Sequence, residues 1–506
     1  MGLMVSLIAF LVFCFMVLIK FLKKPKTPNS KLKLPPGPKQ LPIIGNMHQL
    51  YGSPTHHLLR DLTEKHGPLM SLKTGEITNI IVTSPEIVKE IFKTHDVVFA
   101  QRPSHVLASK IISYNFLSII FAPHGNYWRE LRKICTMELL SPLRVQTFRS
   151  IREEEVLNLV RSICVQKGSI IDLSKMIFSL TYGITARAAF GKRNNDQDKF
   201  IEAVEELAKL SACFSIADMY PSIKLLQLVS GHKQKLERAQ KQFDEILENI
   251  VNEHKEERKQ PKIGSQGGKD DLVDVLMNIK ESGSFGNSLT DTSIKAVIFD
   301  MFSAGSETSS TIVEWAMSEL IKNPRVMKRA QDEVRSNFDE RGNVEESRVQ
   351  EIKYLQAVIK ETLRLHPSAP LLVPRECSEK CEINGYDIPA KATIIVNAWA
   401  IGRDPKYWRE AEKFNPERFL NSEIDFKGND FEYIPFGGGR RICPGISFAL
   451  PNIELPLAQL LFHFDWKLPG ELKQEELDMT ENFGVTVRRK DRLYLVPILY
   501  RHSLFK

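Results

Sequence analysis

Cysteine is scarce and unpaired in this sequence. The 506 residues hold seven (Cys14, Cys135, Cys164, Cys213, Cys377, Cys381 and Cys443), an odd number without a C-x-x-C pair. A disulfide framework or a zinc site is therefore not expected, and a reducing compartment fits best. Cys377 and Cys381 lie four apart, with no histidine or second pair to complete a metal set. Internal repeats, long low-complexity tracts and a G-x-G-x-x-G dinucleotide fingerprint are all missing. A strong charge excess is missing too. The net charge is +7, and Lys20, Lys23, Lys24, Lys26, Lys31 and Lys33 crowd one short stretch and supply most of it. No nucleic-acid partner is implied. With 42% hydrophobic and 26% charged residues, the chain lies far from the composition of disorder.

One long apolar run stands out, residues 3–22, interrupted only by Ser6 and Lys20. At about 1.5 Å per residue such a run spans a hydrocarbon core. No Lys or Arg precedes it and no A-x-A pattern follows, so it reads as an uncleaved anchor rather than a signal peptide. The lysines after it leave the rest of the chain in the cytosol. Pro35, Pro36 and Pro38 then stiffen a hinge. The expected organisation is a transmembrane anchor (1–24), a basic, proline-rich hinge (25–38) and a catalytic body (39–506). Length alone would suggest about three domains, but no boundary divides the body. Helical patterns at 198–210, 231–258 and 291–322 dominate, a polar loop covers 259–271, and β signals appear near 69–83 and 381–396. One mainly α domain with a minor β part is expected.

The stretch Phe436-Gly437-Gly438-Gly439-Arg440-Arg441-Ile442-Cys443-Pro444-Gly445 fits F-x-x-G-x-R-x-C-x-G at every fixed position. Glycines allow a tight turn and close backbone approach to a thiolate. Backbone N–H groups near the sulfur moderate its charge. A helix opening directly afterwards, over 446–463, turns its positive end toward the sulfur. The loop resembles the heme-binding signature of the cytochrome P-450 superfamily, and the likeness runs from the apolar segment and the PPGP hinge to the C-terminal strands. It implies that fold, heme b as cofactor and Cys443 as axial ligand of the iron. Arg441 is then expected at a heme propionate, and Phe436 beside the sulfur, limiting water.

Other motifs gain meaning from this resemblance. Glu361 and Arg364 form E-x-x-R on a helix, one face apart by three residues. With Arg418 of N-P-E-R-F they match the family's structural Glu–Arg–Arg cluster. Ala304-Gly305-Ser306-Glu307-Thr308 lies in the long apolar helix, where small residues leave room for a flat ligand and dioxygen. Thr308 can bond back to the Ala304 carbonyl and bend the helix, and Glu307 adds a titratable group, so the two form an expected proton relay. Ser306 is a mild departure from the usual residue. Trp128 and Arg132 match W-x-x-x-R, whose side chains reach a propionate in the family. Arg375 resembles a further propionate partner, and Arg102 a residue of the pocket rim. Pro451 stands where this branch usually has Ala, and threatens a kink in the helix after the loop.

The resemblance implies NADPH- and dioxygen-dependent oxidation of a hydrophobic small molecule. Because no flavin or dinucleotide motif is present, the electrons come from a membrane-bound NADPH-dependent reductase, with Arg129, Lys133 and Arg440 as candidate docking residues. The expected location is the endoplasmic reticulum membrane, single-pass, with the body in the cytosol. A reductase-independent rearrangement enzyme would tend to lose the Glu307–Thr308 pair, and a heme sensor would need neither the relay nor an apolar pocket. The second half (HPSAPLLVPREC, NAWAIGRDPKYW, YIPFGGGRRICPG) resembles the plant branch of specialised metabolism, nearest to its terpenoid hydroxylases. Pocket residues transferred by position are Ile298, Met301, Ala304, Ala369, Leu372, Val373 and Val485. They suggest a sesqui- or diterpene, a macrocyclic diterpene such as casbene being one guess. An alkaloid or phenylpropanoid is the alternative.

Overall fold

The computed structural model describes residues 32–191, 197–212, 215–259, 270–283, 289–338, 342, 344–482 and 484–500. The apolar run 3–22 lies outside them. Among the described residues, no helix is long and apolar enough to cross a membrane.

Helices make most of the body, as the 3.6-residue periodicity predicts. Five of them position the site: α1 (Asn126–Ile134), α2 (Leu173–Phe190), α3 (Asp291–Lys322), α4 (Lys353–Leu365) and α5 (Ile446–His463). The longest, α3, starts where the Thr290 hydroxyl accepts the Ser293 N–H at 3.1 Å and ends before Asn323-Pro324. That hydroxyl satisfies one of the four donors a helix start leaves free. Residues on most sides of α3 are buried, because it runs through the core against α2, α4 and α5. A helix enclosed in this way needs no polar face.

A four-stranded sheet closes one side, with strands β1 (Leu69–Thr74), β2 (Ile77–Val82), β3 (Arg375–Glu376) and β4 (Thr393–Val396). The spatial order is β1-β2-β4-β3; only β2 and β4 pair in parallel, Asn79 opposite Thr393. The proline-rich stretch is fastened to this sheet rather than merely linking to it. Ser71 donates its N–H to the Pro36 carbonyl and its hydroxyl to the Pro35 carbonyl, both at 2.8 Å. A Cβ on Gly37 would lie 2.1 Å from the Ser71 oxygen, so only glycine fits there.

The helix after the cysteine loop continues through two internal prolines, Pro451 and the unforeseen Pro456. Each removes one i→i−4 bond, yet the helix remains one element from Ile446 to His463. Most of its residues from Phe448 onward are buried, so packing holds a segment that propensity alone would break.

Candidate active site

The cysteine loop is fixed by contacts that leave no room for larger residues. Gly439 has φ +60°, and a Cβ there would lie 2.5 Å from the Phe92 carbonyl oxygen and 2.6 Å from Asp96 Oδ1. Gly438 meets the Phe92 ring in the same way, at 2.8 Å. The chain then turns so that the Cys443 N–H donates to the Phe436 carbonyl at 3.0 Å, and the Gly445 N–H points at Cys443 Sγ at 3.4 Å. Burial pushes the Cys443 thiol up, while the Gly445 N–H and the Arg132 charge act against that. Sγ faces a cavity whose wall includes Phe436, Arg441 and Phe448.

Four guanidinium groups, those of Arg102, Arg132, Arg375 and Arg441, line the same cavity. Arg441 donates to the carbonyls of Ala100 (2.8 Å), Ile119 (3.3 Å) and Ala122 (2.6 Å) and lies 4.2 Å from the Trp128 ring centre. Trp128 in turn donates Nε1–H to the Ile119 carbonyl at 3.0 Å. Burial, then the charges of Arg375 and Arg132, push Arg441 down to about 9. Arg375 lies 3.2 Å from Asp96 Oδ1 and donates to the Gly438 carbonyl at 2.5 Å. Crowded buried cations of this kind call for anions. A heme fits this lining: the arginines would take its two propionates, the small residues Ala304 and Gly305 would leave room for its flat ring, and Cys443 would hold its iron.

The facing wall is α3. Met301, Ala304, Gly305 and Thr308 line the cavity, and Thr308 Oγ1 donates to the Ala304 carbonyl at 2.6 Å. Glu307 is not brought to Thr308. Its Oε1 lies 2.8 Å from Arg488 Nη2, and it is absent from the cavity wall. The reason is helical: at about 100° per residue the cavity face of α3 takes in Asp300, Met301, Ala304, Gly305, Thr308 and Ser309, and Glu307 falls outside it.

Away from the cavity, Glu361, Arg364 and Arg418 come together. Arg364 meets both oxygens of Glu361 at 2.8 Å, and Arg418 Nε meets Oε1 at 3.1 Å. Arg364 also donates to the carbonyls of Gly402 and Ala411. Of the residues transferred to the pocket, Met301, Ala304, Ala369, Leu372 and Val373 line it. Leu372 does so in a left-handed conformation, φ +53°, uncommon for such a residue. Two do not line it. Ile298, one turn before Met301 on α3, is packed in the core, and Val485 is 54% exposed on the C-terminal loop. Arg129, Lys133 and Arg440 are all exposed, although Arg440 also meets Asp96 through its backbone N–H at 2.9 Å.

Three functional-looking residues escaped the sequence reading. Asp96 holds the arginine loop from more than 270 positions away, a separation that leaves no local signal. Arg488, 181 positions after Glu307, is also too remote to leave one. Asp300 could have been found, because it sits four residues before Ala304 and so on the same helix face. It lines the cavity, Oδ2 accepts the Ile120 N–H at 3.0 Å, and Oδ1 has no hydrogen-bond partner. Burial pushes its carboxyl up to about 7, against the Ile120 and Ile119 N–H groups and the Ser118 hydroxyl.

Comparison with known proteins places the chain. The family model described as Cytochrome P450 matches residues 35–496. Tabersonine 16-hydroxylase 2 of Catharanthus roseus is 60% identical, covering 99% of this chain and 98% of that protein. Tabersonine 6,7-epoxidase isoform 1 of the same plant is 58% identical over the full length of both. Among solved structures, a zebra fish cytochrome P450 with abiraterone superposes with a TM-score of 0.75 at 24% identity, over 89% of this chain and all of that one. The last shows the fold alone.

Proposed function

The chain belongs to the cytochrome P450 family, and from that premise we propose that its cavity oxidises an alkaloid carrying a basic nitrogen. The protein is a heme-thiolate monooxygenase of the kind found in plant specialised metabolism, with NADPH supplying electrons through a reductase. When bound, the heme supplies the redox centre at which dioxygen is reduced and one oxygen atom passes to substrate. In this reading Cys443 would hold the heme iron through its thiolate, its charge moderated by the Gly445 N–H. Trp128, Arg132, Arg375 and Arg441 hold the propionates, and Phe436 shields the sulfur. Thr308, donating to the Ala304 carbonyl, is placed to pass a proton into the cavity, with Glu307 behind it. The residues 3–22 anchor the chain in the endoplasmic reticulum membrane, and Arg129, Lys133 and Arg440 receive the acidic face of the reductase.

The observation that carries the substrate reading is Asp300, a buried acid in the cavity wall with an unpartnered Oδ1. A protonated amine offers such a group its missing donor. The relatives named for tabersonine, an alkaloid, agree with it. The terpenoid preference drawn from the sequence finds no support in those names. Its own support is the apolar wall of Met301, Ala304, Leu372 and Val373, so a sesqui- or diterpene such as casbene is the second reading. The test is substrate binding, read from the heme absorbance shift, and product formation with reductase present, for tabersonine and casbene in parallel. Tabersonine affinity should rise as pH rises through about 7, where Asp300 ionises, and Asp300→Asn should abolish that rise. Turnover of casbene alone would select the terpene reading.

A further inference from the structure

A cluster of ligand-type side chains lies outside the cavity, and it is built from histidine and carboxylate rather than cysteine. His56 and His57 stand in the first turn of the helix Thr55–His66, and Glu481 follows His57 by 424 positions. His56 Nε2 lies 2.7 Å and His57 Nε2 2.8 Å from the same atom, Glu481 Oε2. One ligand atom from each of the three residues falls within 4.8 Å of the others. The surroundings hold these side chains in place. His56 and Glu481 are mostly enclosed, their side chains 4% and 10% exposed. The His57 ring stacks 4.2 Å from the Trp399 ring centre, and the His56 carbonyl accepts Asn397 Nδ2–H at 2.7 Å. The cations nearby already have counter-charges: Arg403 meets Glu412 at 3.0 Å, and Arg60 meets the same carboxylate at 3.3 Å. With neutral imidazoles the cluster carries one negative charge, and His57, 34% exposed, leaves one edge open to solvent.

We propose that His56, His57 and Glu481 bind one divalent transition-metal ion of the zinc class, at a site separate from the heme. Two imidazole nitrogens and one carboxylate oxygen are a donor set that zinc accepts, with a fourth position left for water. Tetrahedral bonds of about 2.0–2.2 Å hold ligand atoms roughly 3.3 Å apart. Glu481 therefore has to withdraw from each imidazole by only about half an ångström to admit the ion. Each ring then turns a lone pair on Nε2 to the metal and keeps its proton on Nδ1. Among the described residues one other group of this kind occurs, His254 with Asp271 and Asp274. Its ligands are already engaged, because Asp271 caps the helix Leu272–Glu281 and Arg258 lies 3.5 Å from Asp274 Oδ1. An ion at Glu481 fastens the segment around it to the body of the protein. Glu481 bridges to Arg489, Asn482 donates its N–H to the Arg488 carbonyl and Lys490 donates to the Thr480 carbonyl, both at 2.8 Å. From the same hairpin Val487 donates to the Ser368 carbonyl at 2.9 Å. Ser368 lines the cavity, so the metal steadies a hairpin that backs the substrate wall.

The probe is Zn²⁺ alone, titrated by calorimetry into the heme-loaded full chain after treatment with a chelator. One ion should bind at this site. Glu481→Gln and His57→Ala should each weaken it by about 100-fold or more, at or above the loss seen when a group that merely supports a ligand is removed. His57 is partly exposed, so its variant keeps the proposal testable should Glu481→Gln not fold. His254→Ala should leave the binding unchanged. Zinc-edge X-ray absorption should show nitrogen and oxygen neighbours at about 2.0–2.2 Å. Sulfur at about 2.3 Å would put the ion on cysteine and overturn the site. Wild-type affinity in His57→Ala or Glu481→Gln would overturn it as well, as would loss of binding in His254→Ala. Hydrogen exchange at the Asn482 and Lys490 N–H groups reads the second half of the proposal. It should slow when Zn²⁺ is added to the wild type and stay unchanged in His57→Ala. Equal exchange with and without the ion in the wild type would sink the fastening of the hairpin, while the affinities would still decide the site.

Discussion

Glu361 on α4 and Glu307 on α3 are both glutamates facing arginines, but their surroundings differ. Glu361 is fully buried and accepts from Arg364 twice, from Arg418 and from the Asn415 N–H. Glu307 meets a single arginine, which it shares with Glu205. The first arrangement gives both carboxylate oxygens charged partners and so resists change. The second leaves a carboxyl whose affinity for protons depends on one partner. The same contrast runs through the cavity. On the cysteine side, backbone contacts and glycines fix each atom, whereas on α3 the hydroxyls of Ser306 and Thr308 bond only to their own helix. Contacts between distant segments gather on the cysteine side, and bonds within a single helix gather on α3.

The sharpest break of this contrast is Cys443→Ala on the rigid side. It should abolish the thiolate-type Soret band of the reduced carbon-monoxide complex and stop turnover, since among the described residues no other cysteine lines the cavity. A variant that keeps the band would end the ligand assignment. Next in size is Glu361→Gln, which leaves Arg364 and Arg418 without their counter-charge. A broken buried pair costs about 3–5 kcal/mol, so heat or urea melting should shift strongly and heme content should fall. Equal melting of variant and wild type would show that the cluster does not hold the fold.

The same contrast decides what could be read from residues alone. The cysteine loop, E-x-x-R with its distant arginine, and W-x-x-x-R need fixed residue types at fixed spacing, so they show in the sequence. The long helix 291–322 and the helix 446–463 were legible from their apolar pattern, and their bounds agree with α3 and α5. Side-chain direction was not legible on the α3 side. Glu307 next to Thr308 suggested a direct pair, but the helix turns them apart and a loop residue 181 positions later captures the acid. Val485 was assigned to the pocket by position in the chain, and loop geometry sends it to solvent. Asp96 and Arg488 act through contacts between distant segments, which no local spacing encodes.

The smallest expected effect, and the finest probe of the contrast, is Thr308→Ala. Its hydroxyl makes one recorded hydrogen bond, to Ala304 within the same helix, and alanine is the better helix former. Melting and heme content should therefore stay at wild-type values, unlike those of Glu361→Gln. Proton delivery should suffer, because Thr308 lines the cavity next to Glu307 in the chain, and Glu307 itself is directed to Arg488. General acid–base groups contribute about 10²–10⁴-fold. Water entering the space left by the side chain replaces part of that, which puts the loss near the lower bound. The measurement is product formed per NADPH oxidised, with peroxide release followed beside it at constant reductase. Electrons should be diverted to peroxide while NADPH consumption continues. Unchanged coupling would mean that protons reach the cavity without this wall of α3, and the distinction between a rigid side and a proton-handling side would then lose its functional meaning.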